Sequence, residues 1–251
     1  MNRPIAKRIL TLFLLGIFLL ALLLQAGCQS PYPTQEARIY AALLDLREAI
    51  WLPNSLMRTD EVHTLYSTLL ATKPDLFYVG PYYTACSDAF DYVAYLKPEY
   101  RLTGDALTEA KSDYESRLVP LLSPAKEMDG SREKLMYLHD YLTAYFTYDD
   151  AQSIYDAYSL LTEGRGVCQA FSLLFFDLCE RLGIQSEIVI CPAMRHQWNR
   201  VCLDGVWLEV DLVWDLAEGA DSYFLIPHED LHAARVARDP AWQDAACFYY
   251  G

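Results

Sequence analysis

Cys168, His196 and Asp211 are the residues of this chain whose types and surroundings could do chemistry together. A thiol supplies a nucleophile, an imidazole takes and returns its proton, and a carboxylate orients the imidazole. Such a set attacks a carbonyl, forms a thioester and passes the acyl group to water or to an amine. Cys168 follows Gly164-Arg165-Gly166-Val167 and opens an apolar stretch that ends before Gly183. Phe171, Leu174, Phe175, Leu178 and Leu182 make that stretch apolar on most sides, which predicts a buried central helix. At its N-terminus, free backbone N–H groups and the helix dipole favour a thiolate and are placed to hold an oxyanion. The preceding glycines let backbone and substrate approach closely. Cys179 falls inside the apolar run and reads as core.

The elements that must bring His196 and Asp211 together are two strands. Asp204-Gly205 separates two alternating runs, which predicts a two-residue type I′ hairpin. Leu203 then faces Val206, and Val201, Leu203, Val206, Leu208, Val210 and Leu212 share a face turned to the core. His196, Trp198, Arg200, Trp207, Glu209 and Asp211 share the other. Asp211 stands opposite Trp198 and diagonal to His196, roughly 7–8 Å away. A three-residue loop would send the two to opposite faces. Trp198 and Trp207, on the face of the histidine, and Gln169, next to the thiol, are the candidate substrate contacts.

Further out, Ala37, Tyr40, Ala41, Leu44 and Ala49 predict a helix over 34–50. A second is expected over 59–71, with Thr59 as N-cap and Pro74 beyond its end. Aromatic and β-branched runs predict strands Leu76–Thr84 and Phe90–Lys97. Thr103 is placed to cap a helix that Pro120 and Pro124 break near Leu118, and Ser131 to cap one reaching Tyr145. A short helix over 155–163, strands at 185–191, 197–203, 206–213 and 222–227, and a helix over 229–238 complete the reading. A helix followed by consecutive strands predicts an α+β fold, with the central helix packed on an antiparallel sheet after a mainly helical N-terminal region. The division expected is 34–128 for that α/β region, of open role, and 129–251 for the catalytic domain.

The N-terminus carries Arg3, Lys7 and Arg8, then an apolar run from Ile9 to Leu24, then Gln25-Ala26-Gly27-Cys28. This predicts a secretory signal over 1–27, with Cys28 the lipidated new N-terminus and 28–33 a tether. An exported protein, lipid-anchored to a bacterial membrane and facing outward, is the expectation. The formal net charge is −14, and without the three leader cations it is nearer −17. Nucleic acid is therefore not an expected partner, because phosphate binding needs Lys and Arg. Cys86, Cys179, Cys191, Cys202 and Cys247 are an odd number, so at most two disulfides can form, and spacing assigns none. With no CxxC and scattered histidines, neither a metal site nor a cofactor is expected.

Several local words share a resemblance. Gly166-Val167-Cys168-Gln169-Ala170-Phe171, His196-Gln197-Trp198-Asn199-Arg200-Val201 and Val210-Asp211-Leu212-Val213-Trp214-Asp215 resemble the nucleophile, histidine and aspartate motifs of the transglutaminase-like superfamily. Leu138-His139-Asp140-Tyr141-Leu142 and Phe146-Thr147-Tyr148-Asp149 resemble the helix entering that domain, and Ser222-Tyr223-Phe224-Leu225 the strand that follows it. Gln197 and Gln169-Ala170 depart from the usual neighbours and read as changes at the rim of the site. The resemblance implies a papain-like thiol mechanism on a glutamine side-chain amide or a peptide bond of a protein or peptide substrate. A non-catalytic protein- or glycan-binding module on the same fold is an alternative. An arylamine N-acetyltransferase-like enzyme, with the same Cys-His-Asp order, is a second.

Overall fold

The computed structural model describes residues 34–251, except Asn54 and Ala220. The expected signal, the tether and Cys28 lie outside the described residues. The chain divides into two units, 1–41 and 42–251. The boundary falls within the first described helix, α1 (Gln35–Leu44). All that follows concerns the second unit.

The helix expected over 34–50 stops at Leu44. Leu46 takes a left-handed conformation (φ 54°), and Ile50–Trp51 form a short strand, β1, instead. Helix α2 (Thr59–Thr72) begins one residue off the expected cap. Arg58 is the cap residue, its N–H bonded to Glu61 at 2.8 Å, while the Thr59 hydroxyl donates to Asp91 at 2.6 Å. The next two strands, β2 (Val79–Ser87) and β3 (Val93–Tyr100), lie about three residues later than the composition suggested. With β1 they form an antiparallel sheet in the order β1-β3-β2.

Helix α3 (Gly104–Lys126) runs straight through Pro120 and Pro124, which were expected to break it. A proline leaves the carbonyl four residues earlier without its helical donor. For Pro124 that carbonyl belongs to Pro120, and the Tyr137 hydroxyl supplies the missing donor at 3.0 Å. Tyr137 sits on the next helix, α4 (Ser131–Tyr145). Leu118, Leu121, Leu122 and Ala125 are buried on either side of the prolines, so burial of this stretch outweighs its weak helix propensity.

Strand β4 (Thr147–Tyr148) pairs in parallel with β5 (Arg165–Gly166) on either side of helix α5 (Ala157–Glu163). Gly164 ends α5 in the left-handed conformation (φ 72°). The central helix α6 (Cys168–Arg181) follows, with Phe171, Leu174, Phe175, Leu178 and Cys179 buried as its apolar run predicted. It packs on a five-stranded antiparallel sheet made of β6 (Ser186–Cys191), β7 (His196–Leu203), β8 (Val206–Val210), β9 (Phe224–Ile226) and β10 (Phe248–Tyr250). The strand order is β10-β6-β7-β8-β9. Strand β10 was not expected, although Phe248, Tyr249 and Tyr250 are strand-favouring residues.

The β7–β8 hairpin has the predicted register, from Leu203–Val206 to Asn199–Val210. Asp204 and Gly205 both have positive φ (51° and 81°), as a type I′ turn requires. The expected core face holds for Val201, Leu203, Val210 and Leu212, which are buried, but the face carrying His196 is covered as well. Val206 at the hairpin tip is 57% exposed, whereas Trp198 and Glu209 on the other face are buried. The reason lies further along the chain. A small core of Val189, Cys191, Trp198, Trp214, Tyr223 and Leu231 covers that face. Leu231 comes from helix α8 (His228–Arg238). Strand β8 also ends early: the residues expected to extend it to 213 turn into a short helix, α7 (Leu212–Glu218).

Candidate active site

Each candidate catalytic group sits at the end of an element, where its side chain clears the backbone ladder. Cys168 is the first residue of α6, as expected, and is partly exposed. The glycine two residues earlier serves packing rather than substrate approach: a Cβ on Gly166 would come within 2.8 Å of the Ala170 Cβ, so only glycine lets β5 lie against the first turn of α6. His196 is the first residue of β7. The tight connection from β6 runs through Pro192–Met194 and Arg195, whose left-handed backbone (φ 51°) turns the chain into the strand. Asp211 ends the hairpin as the N-cap of α7. Its Oδ1 accepts the Trp214 N–H at 3.1 Å, and its own N–H donates to the Tyr223 carbonyl at 3.0 Å.

The Asp211 carboxylate is buried, and its Oδ2 lies 2.6 Å from His196 Nε2. The strand register alone gave only a diagonal approach; the N-cap conformation closes the gap. Burial by itself would push the imidazole down, but the Asp211 charge and hydrogen bond outweigh it. The Cys168 thiol adds a second hydrogen bond, and the pKa is raised from 6.5 to about 10. With Nε2 committed to Asp211, Nδ1 is the nitrogen left for Cys168. The imidazole stacks with two indoles, Trp214 at 5.6 Å and 12° and Trp198 at 5.7 Å and 22°. An indole face at this distance favours a cation on the imidazole.

Cys168 and His196 line an open cleft of about 750 Å³. Gln169, Tyr148 and Tyr155 line it too, with Thr64, Ser67 and Thr68 of α2 on the facing wall. The N-terminal region thus supplies one side of the cleft. Gln169 and Gln197 fasten that side: Gln197 Nε2 donates to the Ala71 carbonyl at 2.8 Å, and Gln169 Nε2 to the Leu70 carbonyl at 3.4 Å. Carbonyls in a helix's last turn have no partner within the helix, so these glutamines clamp α2 to the site. The Asp149 carboxylate fixes the loop that carries Gln152 and Tyr155. It accepts the Ser153 N–H and hydroxyl, the Ile154 N–H and the Arg165 guanidinium, and the Ser153 N–H is the main influence holding its pKa below the ordinary value.

The two tryptophans expected to touch substrate do not line the cleft. Trp198 is buried beneath the imidazole, with its Nε1–H bonded to Glu209 at 2.7 Å. Trp207 stands near the hairpin tip opposite Cys202, with the Arg200 guanidinium 4.5 Å over its ring. Sequence reasoning missed Trp214, whose stacking on His196 depends on α7 forming where a strand was expected. It also read the histidines as scattered, although His228-Glu229-Asp230-Leu231-His232 sets two of them one helical turn apart, as in zinc-binding helices. Here His228 Nδ1 bonds Glu209 at 2.7 Å and His232 Nε2 bonds the Gln243 carbonyl at 3.1 Å. Among the described residues no group of three or more His, Cys, Asp or Glu is arranged to hold a metal ion.

Residues 123–212, which include Cys168, His196 and Asp211, match the transglutaminase-like superfamily. This segment is a transglutaminase-like domain. Solved structures similar to the chain include a transglutaminase (TM-score 0.36, 12% identity, 65% of this chain and 50% of that one). A proposed cysteine protease from Cytophaga hutchinsonii is another (0.34, 14%, 68% and 71%). A third is a proposed protease from Parabacteroides distasonis (0.32, 12%, 51% and 35%). The chain spans half the length of the first of these. No curated protein matches it. The matched segment holds the central helix and strands β6 to β8 of the sheet, with α2 adding a wall of the cleft.

Proposed function

We propose that the transglutaminase-like domain catalyses thiol-dependent acyl transfer, or amide or peptide hydrolysis, through Cys168, His196 and Asp211. One observation carries this reading: the 2.6 Å His196–Asp211 pair stands beside the Cys168 thiol on the wall of an open cleft. His196, held by Asp211, takes the thiol proton, and the nucleophile is the Cys168 thiolate so formed. It attacks the carbonyl carbon of a glutamine side chain or peptide bond. The oxyanion forms next to the first turn of α6, whose amides have no partner within the helix. His196 gives its proton to the leaving amine as the C–N bond breaks, leaving a thioester on Cys168. Water or a second amine then attacks the thioester. His196 takes the attacker's proton, and the thiolate leaves. Asp211 stays ionised throughout and keeps Nδ1 of the imidazole on the thiol.

The substrate class proposed is a protein or peptide, whose extended segment an open cleft of this size accommodates. The setting proposed is the outer face of a bacterial membrane, with the chain anchored through a lipid on Cys28. Growth with labelled fatty acid should label the wild type and not Cys28→Ser; a Cys28→Ser protein still labelled would overturn the anchor.

The catalytic reading is tested by intact-mass analysis with a small excess of iodoacetamide from about pH 5 to about pH 9. Fast modification at one site, persisting below pH 7, lost in Cys168→Ala and slowed in His196→Ala, is the expected result. Slow modification that rises only near the ordinary thiol pKa of about 8.5 would reject an activated nucleophile. The binding-module reading would then replace it.

A further inference from the structure

Two cysteines outside the proposed chemistry face each other. Strands β6 and β10 pair with Ile190 opposite Phe248, Val189 opposite Tyr249 and Ile188 opposite Tyr250. Continued by one residue, the same register sets Cys191 opposite Cys247. Facing residues of an antiparallel pair have Cα atoms about 4.5–5.5 Å apart, within the roughly 4.4–6.8 Å that a disulfide spans. The side chains agree with the register. Cys191 is fully buried in the small core on the outer face of the sheet, and Cys247 packs against that core. The two thiols are close enough for Cys191 to raise the pKa of Cys247.

The other described cysteines have different neighbours. Cys202 stands opposite Trp207, Cys86 opposite Tyr95, Cys179 lies beside Ser186 inside the core, and Cys168 faces His196. The count that allowed two disulfides and assigned none is thus narrowed by topology to one candidate pair.

We propose that Cys191 and Cys247 form a disulfide that staples the C-terminal edge strand β10 to β6. The oxidant is a disulfide of another molecule, of the dithiol-oxidoreductase or glutathione class. Cys247 is the more accessible of the two, and the Arg235 guanidinium donates to its Sγ at 3.0 Å, which favours the thiolate. The Cys247 thiolate attacks the oxidant's S–S bond and expels one thiolate, leaving a mixed disulfide. Cys191, as its thiolate, attacks the Cys247 sulfur and expels the second. Two protein thiols are oxidised, the oxidant's disulfide is reduced to two thiols, and the protons of Cys191 and Cys247 end on them. Burial pushes the Cys247 thiol up to about 11 despite Arg235, so reduced Cys247 reacts slowly with simple alkylating agents near neutral pH. The staple touches the cleft: Cys191 lines it and is the register partner of His196. It closes a loop of about 57 residues that holds β7, β8 and α8, long enough for marked stabilisation.

The test uses the full chain with Cys168→Ser, solubilised in detergent and treated with oxidised glutathione or with dithiothreitol. Remaining thiols are blocked, and the protein is digested without reduction for mass spectrometry. The expected product joins the Cys191 and Cys247 peptides and is lighter by two hydrogens than the separate pair. Dithiothreitol removes it, and Cys247→Ser never forms it. The oxidised protein should also melt higher, by roughly ten degrees. Links from either cysteine to any other, a glutathione adduct on Cys247 that Cys191 never displaces, or two free thiols after oxidation would each overturn the proposal. None of these outcomes bears on iodoacetamide labelling of Cys168, so this pairing and the catalytic reading fail separately.

Discussion

Two histidine–aspartate pairs with buried carboxylates lie one helical turn apart along the same segment, and only one of them has a thiol. Asp211 at the cap of α7 holds His196 Nε2 at 2.6 Å; Asp215, four residues on, holds His139 Nε2 at 3.0 Å. Both carboxylates also accept a backbone N–H, from Trp214 and from Tyr223 respectively. In both histidines burial is outweighed by the carboxylate, and both pKa values are raised. The surroundings separate them. His196 reaches Cys168 and the cleft. His139 is buried against the Phe224 ring, 4.4 Å between centroids, with its other nitrogen 3.2 Å from Asp140. A hydrogen-bonded imidazole and carboxylate is thus also a way of joining α4 to α7. What makes one pair a candidate for chemistry is the third group and the opening.

The sharpest way to break that distinction is to weaken each pair in turn. Asp211→Asn keeps the shape but loses the charge that holds the proton on His196. Turnover on any substrate found, and alkylation of Cys168 below neutral pH, should fall by about 10³–10⁴-fold. The melting temperature should change far less than the rate. A large loss of stability with little loss of reactivity would make Asp211 structural, like its neighbour.

The neighbouring pair should give the reverse. His139→Leu leaves Asp215 as a buried charge with the Tyr223 N–H as its remaining hydrogen-bond partner shown here. Breaking a buried pair from one side costs about 3–5 kcal/mol. Denaturant unfolding should show a loss of that size, while iodoacetamide labelling of Cys168 in the folded fraction stays within about twofold. A collapse of labelling in folded protein would mean that the second pair feeds the site.

How much of this contrast was legible in the sequence depends on distance along the chain. The local signals held: Asp204-Gly205 fixed the hairpin register, and the apolar run after Cys168 became the buried helix. Neither needs knowledge of distant residues. The errors are tertiary. Pro120 and Pro124 stay helical because Tyr137, on another helix, satisfies the orphaned carbonyl. Trp198 looked like a cleft residue because alternation cannot show that α8 covers the second face of the sheet. His139 and Asp215 are 76 residues apart, and nothing local pairs them. The two glutamines beside the catalytic candidates read as rim changes, but their partners lie in α2, about 100 residues or more upstream.

The raised histidines also predict a pH dependence, and its sign can be worked out. A group whose folded pKa exceeds its unfolded value stabilises the fold fully below the unfolded pKa and loses that contribution as pH rises through the folded one. For His196 the window runs from about 6.5 to about 10. Unfolding free energy should therefore fall steadily across that range in the wild type. His196→Gln should flatten most of the slope, and His139→Gln should remove a smaller part. Slopes unchanged in both variants would mean that neither imidazole is charged in the folded protein.

The smallest expected effect concerns the wall facing the thiol. Gln197 and Gln169 donate to the Ala71 and Leu70 carbonyls, so removing either amide leaves one carbonyl in the last turn of α2 without this donor. A single hydrogen bond of this kind contributes about 1 kcal/mol. The 2.8 Å bond of Gln197 should matter more than the 3.4 Å bond of Gln169. Hydrogen exchange over residues 59–72 should quicken in Gln197→Ala and less in Gln169→Ala, with α6 unchanged. If α2 only covers the cleft, labelling of Cys168 should hold or rise as the wall loosens. If it aligns the site, labelling should fall along with the protection of α2, and the division between a catalytic core and a separate N-terminal region would have to be redrawn to include that helix.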